Sequence, residues 1–274
     1  MIQLFNYIDR VSPIHKLTGA SKLACMFCWV LAAMLTFDTR YLILLTIAAL
    51  ILFRVSKIKA GDVKVILVFS LVFLVMNNLL IYLFSPEYGV SVYDARTELF
   101  HIIGRYSITV QQLLYHANVI LKYTATIPVV ILFISTTQPS EFAASLNKIG
   151  ISYKISYSVS LALRYIPDIL DEYHDISLAQ QARGVELSGK ESLVKRLKGA
   201  TAILMPLILS SMDRIEVVSN AMELRCFGKG PKRTWYRERK FAGLDYATMI
   251  LGFALIGISI ALQFMNGGRY WNPF

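Results

Sequence analysis

Charge is scarce in this chain. Only 17% of its 274 residues are Asp, Glu, Lys or Arg, while 55% are hydrophobic and the mean hydropathy is +0.53. Soluble domains carry about 25% charge and about 45–50% apolar residues. The composition therefore argues against a water-soluble fold and makes a bilayer the natural solvent. Cysteine is sparse too, at Cys25, Cys28 and Cys226, which gives no support to a disulfide framework. Cys25 and Cys28 have C-x-x-C spacing, but a redox or zinc role needs a polar setting and further ligands. This pair stands in an apolar run with no His or Asp beside it, and is read as two small membrane-helix residues. The four histidines, His15, His101, His116 and His174, form no i,i+4 pair and no H-E-x-x-H motif. No nucleophile–base constellation stands out. Apart from Lys122, the apolar runs hold almost no ionisable residue, whereas ion-coupled carriers place carboxylates or histidines mid-membrane. A cleavable signal peptide is also missing: Met1 to Lys22 carries Asp9, Arg10, His15 and Lys16, with no apolar core before Leu23. The N-terminus is expected to be retained.

What the chain does have is apolar length. Runs lie at 23–37, 41–53, 63–84, 119–134 and 241–264. A crossing needs about 20 residues at about 1.5 Å rise, so the first two must extend into their flanks, tilt little or form a tight hairpin. The predicted fold is all-α, a polytopic membrane protein with about five transmembrane helices. Asn77-Asn78 is the one strongly polar pair inside a run; it fits an interhelical hydrogen bond or a permeation role. Residues 85–117 form an outer segment, with an interfacial helix expected near 105–116.

The net charge of +10 raises nucleic acid as a partner, but the positive-inside rule accounts for it more simply. With residues 1–22, 54–64 and 135–240 inside, 23 of the 28 Lys and Arg are cytoplasmic; Arg40, Arg96, Arg105, Lys122 and Arg269 are not. This predicts a cytoplasmic N-terminus, an outside C-terminus and no nucleic-acid partner. Three regions follow: 1–136, an N-terminal membrane region; 137–240, a cytoplasmic region of long amphipathic helices; and 241–274, a last transmembrane helix with an outer C-terminus.

The cytoplasmic region is the informative one. A short helix is expected from Pro139 to Gly150. A long helical pattern follows over 153–183, with Val159, Leu163, Ile166, Leu170 and Tyr173 as its apolar stripe and Asp168, Asp171, Glu172 and Asp175 opposite. Pro167 predicts a kink or two abutting helices there. Residues 191–198 read as a charged linker or short helix. A second long pattern runs over 201–227, with Leu204, Ile208, Met212, Ile215, Val218 and Met222 as its stripe, and Gly228 stops it. With little soluble core to pack on, such stripes suit the membrane interface, the other helix, or a partner's groove.

Both patterns end alike, on Ala182-Arg183-Gly184 and on Leu224-Arg225-Cys226. A cation at a helix C-terminus offsets the dipole by about 0.3–1 kcal/mol, which is one account of each arginine. The other is recognition: a guanidinium fork grips a partner carboxylate bidentately, and small neighbours admit a partner's backbone. Gly184-Val185-Glu186-Leu187-Ser188-Gly189-Lys190 imitates a phosphate-binding loop, but position 191 is Glu where Ser or Thr should hold magnesium. No strand is predicted before it. Nucleotide binding by this chain is not expected.

These residues, in order, resemble the transmembrane T component of energy-coupling factor (ECF) transporters over nearly the whole length. Ser12-Pro13-Ile14-His15-Lys16-Leu17 with Ser21-Lys22-Leu23 is similar to the family's N-terminal signature. Leu163-Arg164-Tyr165-Ile166-Pro167 with Ala179 to Gly184 resembles its first coupling segment, and Pro206 to Gly228 its second. The resemblance implies a non-catalytic subunit of a prokaryotic cell membrane, with no cofactor of its own. It also implies two ABC-type ATPase partners, which bind the ATP and magnesium. A small membrane-embedded S component would bind the vitamin or transition-metal ion, such as cobalt or nickel. Residues 137–240 become the coupling-helix region. Ala182, Arg183, Gly184, Leu224, Arg225 and Cys226 become the ATPase-docking residues. One departure stands out: Leu224-Arg225-Cys226 replaces the family's second Ala-Arg-Gly. The competing reading is a substrate-translocating permease subunit of another ABC transporter, which would need a path through its own spans.

Overall fold

The computed structural model describes residues 10, 12–103, 106–185, 193–230, 234–235 and 240–273. Residues 186–190 of the glycine-containing loop lie outside this set, as do Glu191, Arg105 and Lys232, Arg233, Arg237 and Arg239 of the basic run. The chain divides into two compact units, Met1–Ser145 with Arg239–Phe274, and Leu146–Glu238.

The first unit is a helical membrane bundle. Its elements are α1 (Pro13–Lys16), α2 (Gly19–Leu35), α3 (Thr39–Val55), α4 (Lys64–Phe84), α5 (Tyr88–Tyr93), β1 (Glu98–Ile103), β2 (Tyr106–Thr109), α6 (Val110–Thr136), the start of α7 (Pro139–Lys148) and α10 (Gly243–Met265). All five apolar runs are helical. Among the described residues, α4, α6 and α10 are long and apolar enough to cross a membrane. α2 and α3 have 17 residues each, at the lower end of the crossing range of about 17–25. The three-residue break between them is built by Asp38, whose side chain accepts from the Arg40 N–H and caps the start of α3.

α2 packs on α10 and α6, and α3 on α6. Ala32, Ala33, Ala49 and Ala125 are fully buried at these crossings. In lipid, small interfacial side chains let helix backbones approach, so packing replaces hydrophobic drive. Trp29, Tyr41, Leu45, Val129 and Leu255 fill the space around them. The two polar tips are satisfied across helices: Trp29 Nε1 donates to the Ala125 carbonyl (3.0 Å) and Tyr41 Oη to that of Leu255 (2.7 Å). α4 differs, for none of its 21 residues is buried. One row of it, with Ile66, Leu67 and Asn78, is half-buried against α6, and the rest is an exposed apolar surface.

α6 begins nine residues earlier than its apolar run. Gln111, Gln112, His116 and Asn118 made that turn look polar, yet each has a partner: Gln112 Oε1 accepts from the Gly89 N–H (2.6 Å), Gln111 Nε2 donates to Thr97 Oγ1 (3.2 Å), and Asn118 Nδ2 donates to the Phe37 carbonyl (3.3 Å). His116 Nδ1 lies 2.9 Å from Asn78 Oδ1, an interhelical hydrogen bond between α4 and α6. The interfacial helix expected near 105–116 is not there. Residues 106–109 form β2, an antiparallel partner of β1, and residues 110–116 belong to α6. Tyr106, Ile108 and Thr109 are aromatic or β-branched and favour a strand; Thr109 then caps α6, accepting from the Gln112 N–H.

The second unit is a helical hairpin of α8 (Tyr153–Ala182) and α9 (Leu193–Leu224). Pro167 lies inside one continuous α8 and does not divide it in two, and the segment 193–198, read as linker or short helix, is the first part of α9. The pairing is antiparallel. Tyr153 and Tyr157 near the start of α8 pack on Phe227 just past α9, and Glu172 meets Ser210 and Arg214 farther along.

Candidate functional site

The two arginine ends share one backbone design. At the first, Arg183 is the C-cap of α8 and Gly184 follows at φ +85°. The Gly184 N–H donates to the Gln181 carbonyl (2.9 Å), and the Val185 N–H reaches back to that of Gln180 (3.0 Å). At the second, Cys226 has φ +56°; its N–H donates to the Glu223 carbonyl (2.9 Å) and the Phe227 N–H to that of Met222 (3.0 Å). Both are Schellman motifs, which satisfy the last carbonyls by turning one residue left-handed. The arginine precedes that residue in each. It is thereby carried to the tip of its helix, and Ala182, Arg183, Gly184, Leu224, Arg225 and Cys226 are all exposed.

The same geometry explains what Cys226 changes. A left-handed conformation costs a residue with a Cβ about 1–2 kcal/mol, and glycine avoids this. Cys226→Gly is expected to strengthen the last turn of α9 by about 1 kcal/mol, seen as slower amide hydrogen exchange at Phe227. Unchanged or faster exchange would show that the turn is not strained.

The two ends are not neighbours. Glu172 contacts Ser210 in an antiparallel pair, and Arg183 and Arg225 lie beyond that contact in opposite directions. At about 1.5 Å per residue they stand roughly 40 Å apart along the hairpin.

The hairpin is held by a mixed seam. Glu172 accepts from Ser210 Oγ and from Arg214 (2.6 Å), and the Arg214 guanidinium lies over the Tyr165 ring (5.8 Å to its centroid). Leu161, Tyr165 and Ile169 line an open groove of about 280 Å³ with Ile215, Val218 and Met222. The expected α8 stripe is therefore not the face that meets α9. Ile166, Leu170 and Tyr173 of that stripe are exposed, and so are Leu204, Ile208 and Met212 on α9. Periodicity picked out one apolar row on α8, and the row that packs on α9, Leu161, Tyr165 and Ile169, is a different one. Asp168, Asp171 and Asp175 are exposed as expected, while Glu172 turns inward.

Sequence reasoning missed a buried polar knot in the first unit. Asp245, third residue of α10, is 2% exposed. Its Oδ1 accepts from the Thr18 N–H (2.8 Å), Thr18 Oγ1 (3.0 Å) and Ser21 Oγ (2.6 Å), and Oδ2 from the Ala242 N–H (2.8 Å). Beside it, buried Lys22 donates to the Thr136 carbonyl (2.9 Å) and lies 4.0 Å from Glu141 of α7. A Cβ on Gly19 would come within 2.5 Å of Ser145 Oγ and 2.8 Å of Glu141 Cγ, so α2 packs directly on α7 there. Ser12 and His15 are joined at 2.7 Å. The N-terminal signature is thus a packing device: it ties α2 to α10, α6 and α7. Its one legible sign was an acidic residue opening an apolar helix.

Among the described residues, no group of three or more His, Cys, Asp or Glu side chains could hold a metal, and the three cysteines are unpaired.

Comparison with known proteins agrees with this architecture. Residues 10–236 match the model of the CbiQ family, described as cobalt transport protein. The chain is 25% identical over 272 residues to the energy-coupling factor transporter transmembrane protein EcfT of Exiguobacterium sibiricum, covering 96% of this chain and 98% of that protein. It is 27% identical over 273 residues to the protein of that name from Bacillus selenitireducens, covering 96% and 97%. To that from Clostridium kluyveri it is 35% identical over 133 residues, about half of each chain. The chain belongs to the CbiQ family and is a transmembrane T component of energy-coupling factor transporters.

Proposed function

We infer that this T component couples ATP hydrolysis on two partner ATPases to a separate membrane-embedded S component that carries a vitamin or a transition-metal ion. The observation that carries the reading is the pair of matching C-cap arginines, exposed and roughly 40 Å apart on one helical hairpin. Each guanidinium would enter a groove on one ATPase and pair with a carboxylate there. Ala182 and Gly184 at one end, and Leu224 and Cys226 at the other, are the residues the partner's backbone would pass. ATP and magnesium belong to the ATPases. α8 precedes Gly184 where a phosphate-binding loop requires a strand, which supports a non-catalytic role for this chain. The exposed rows on α8 and α9 suit the apolar surface of the S component. In this reading residues 137–240 face the cytoplasm, as does the N-terminus, and residues 241–274 lead out to an external C-terminus.

Co-expression with candidate ABC-type ATPases and an S component is the test. The chain should pull down both, and alone it should bind no nucleotide. Nucleotide binding by the isolated chain, or a complex lacking ATPases, would contradict the reading. Sidedness is checked by cysteine labelling of intact cells: Asn272→Cys should react and Ser188→Cys should not, on a background without native cysteines.

A further inference from the structure

The β1–β2 hairpin has no place in the docking scheme, and it carries an unexplained surface. Leu99 is 52% exposed and Phe100 73%. Two adjacent apolar residues cannot normally share one face of a strand, because side chains alternate. Here the pairing register shifts between Glu98 and Phe100, and such an irregularity re-aims a side chain. Large exposed apolar groups at a strand edge are an aggregation liability unless something covers them.

The position of the hairpin says what does. Tyr106 Oη donates to the carbonyl of Leu83 in the last turn of α4 (3.2 Å), and its ring lies 6.1 Å from that of Tyr82. The hairpin is therefore fastened to the end of a helix that crosses the bilayer with none of its residues buried. Leu83 and Phe84 there are themselves exposed. Tyrosines gather at this depth in membrane proteins, where an apolar ring and a polar hydroxyl are both satisfied. On the hairpin's polar side, Arg96 pairs with Glu87 (3.6 Å) and Glu98, groups that belong in water.

We propose that the hairpin is an interfacial anchor, with Leu99 and Phe100 inserted among lipid acyl chains just below the headgroups at the C-terminal end of α4. The lipid-facing surface of α4 continues onto it. The anchor fixes α4, whose direct packing on the bundle is slight, at a set depth.

The test uses the full chain in lipid nanodiscs, with alanine at the three native cysteines. Nitroxide labels are placed singly at Leu99→Cys, Phe100→Cys, Phe84→Cys as the lipid reference and Asp94→Cys as the water reference. Sites 99 and 100 should behave as site 84 does, colliding severalfold more often with dissolved oxygen than with a water-soluble nickel chelate, and site 94 should show the reverse. Phe100→Trp, close in size and polarity, gives a second reading: its added emission should be quenched by lipids brominated near the headgroup end of their acyl chains. Collision ratios at 99 and 100 equal to those at 94, or unquenched emission, would overturn the proposal. So would loss of both lipid signatures once an S component is present, since a protein would then be the occupant.

Discussion

Replacing Arg183 and Arg225 together by alanine is expected to abolish uptake and to release the ATPases, while the chain still inserts in the membrane. The physical reason is stranded charge. If each guanidinium pairs with a carboxylate in a desolvated groove, truncating it leaves the partner's charge buried and unpaired, at a cost of about 2–5 kcal/mol per site. Each single variant should weaken ATPase co-elution, and the double should lose it. The alternative account treats each arginine as a cation at a helix C-terminus, worth about 0.3–1 kcal/mol; it predicts a complex that still assembles. Both residues are exposed tips outside the membrane-crossing helices, so expression and insertion act as internal controls. Uptake near the wild-type level in the double variant, at equal expression, would leave only the local account.

The second large effect lies at Asp245. Removing its carboxylate strands the backbone N–H groups of Thr18 and Ala242 and takes the charged acceptor from the Thr18 and Ser21 hydroxyls, at a site almost without solvent. A buried donor left without its acceptor costs about 1–3 kcal/mol, and bonds to a charged group are at the upper end. Asp245→Ala should therefore destabilise the bundle by about 3–5 kcal/mol, enough to lower the yield of folded protein in the membrane. Asp245→Asn keeps one acceptor oxygen for the α2 donors and should lose roughly half as much. Thermal unfolding of the detergent-purified variants reads this order. Equal stability of wild type and Asp245→Ala would mean that the α2–α10 tie does not hold the bundle.

Composition and run length made the membrane class and the helical content legible, because a bilayer leaves few backbone solutions and the sequence must supply long apolar runs. The ends of α6 were not legible. Gln111, Gln112, His116 and Asn118 look like loop residues until their partners on other segments are known, and those partners are 14 to 81 residues away. The hairpin after Asp94 was missed for a similar reason: a short β-ribbon beside a membrane helix has too little periodicity to stand out. Arg183 and Arg225 were visible from their repeated setting. That Gly184 and Cys226 occupy the same left-handed position was not, since only backbone angles reveal it. Periodicity gave one apolar row on α8 but not the inward one, which is marked by Glu172, whose pairing with Arg214 spans 42 residues.

In the proposed coupling, each arginine-bearing helix end touches its own ATPase subunit. Its most direct test is photocrosslinking in cells expressing the whole transporter, with a photoreactive side chain at Ala182 in one variant and at Leu224 in another. Irradiation should give an ATPase adduct from each position. Where the two ATPases differ in sequence, the two positions should capture different ones. A complex that assembles and transports normally, yet yields no ATPase adduct from either position, would contradict the account.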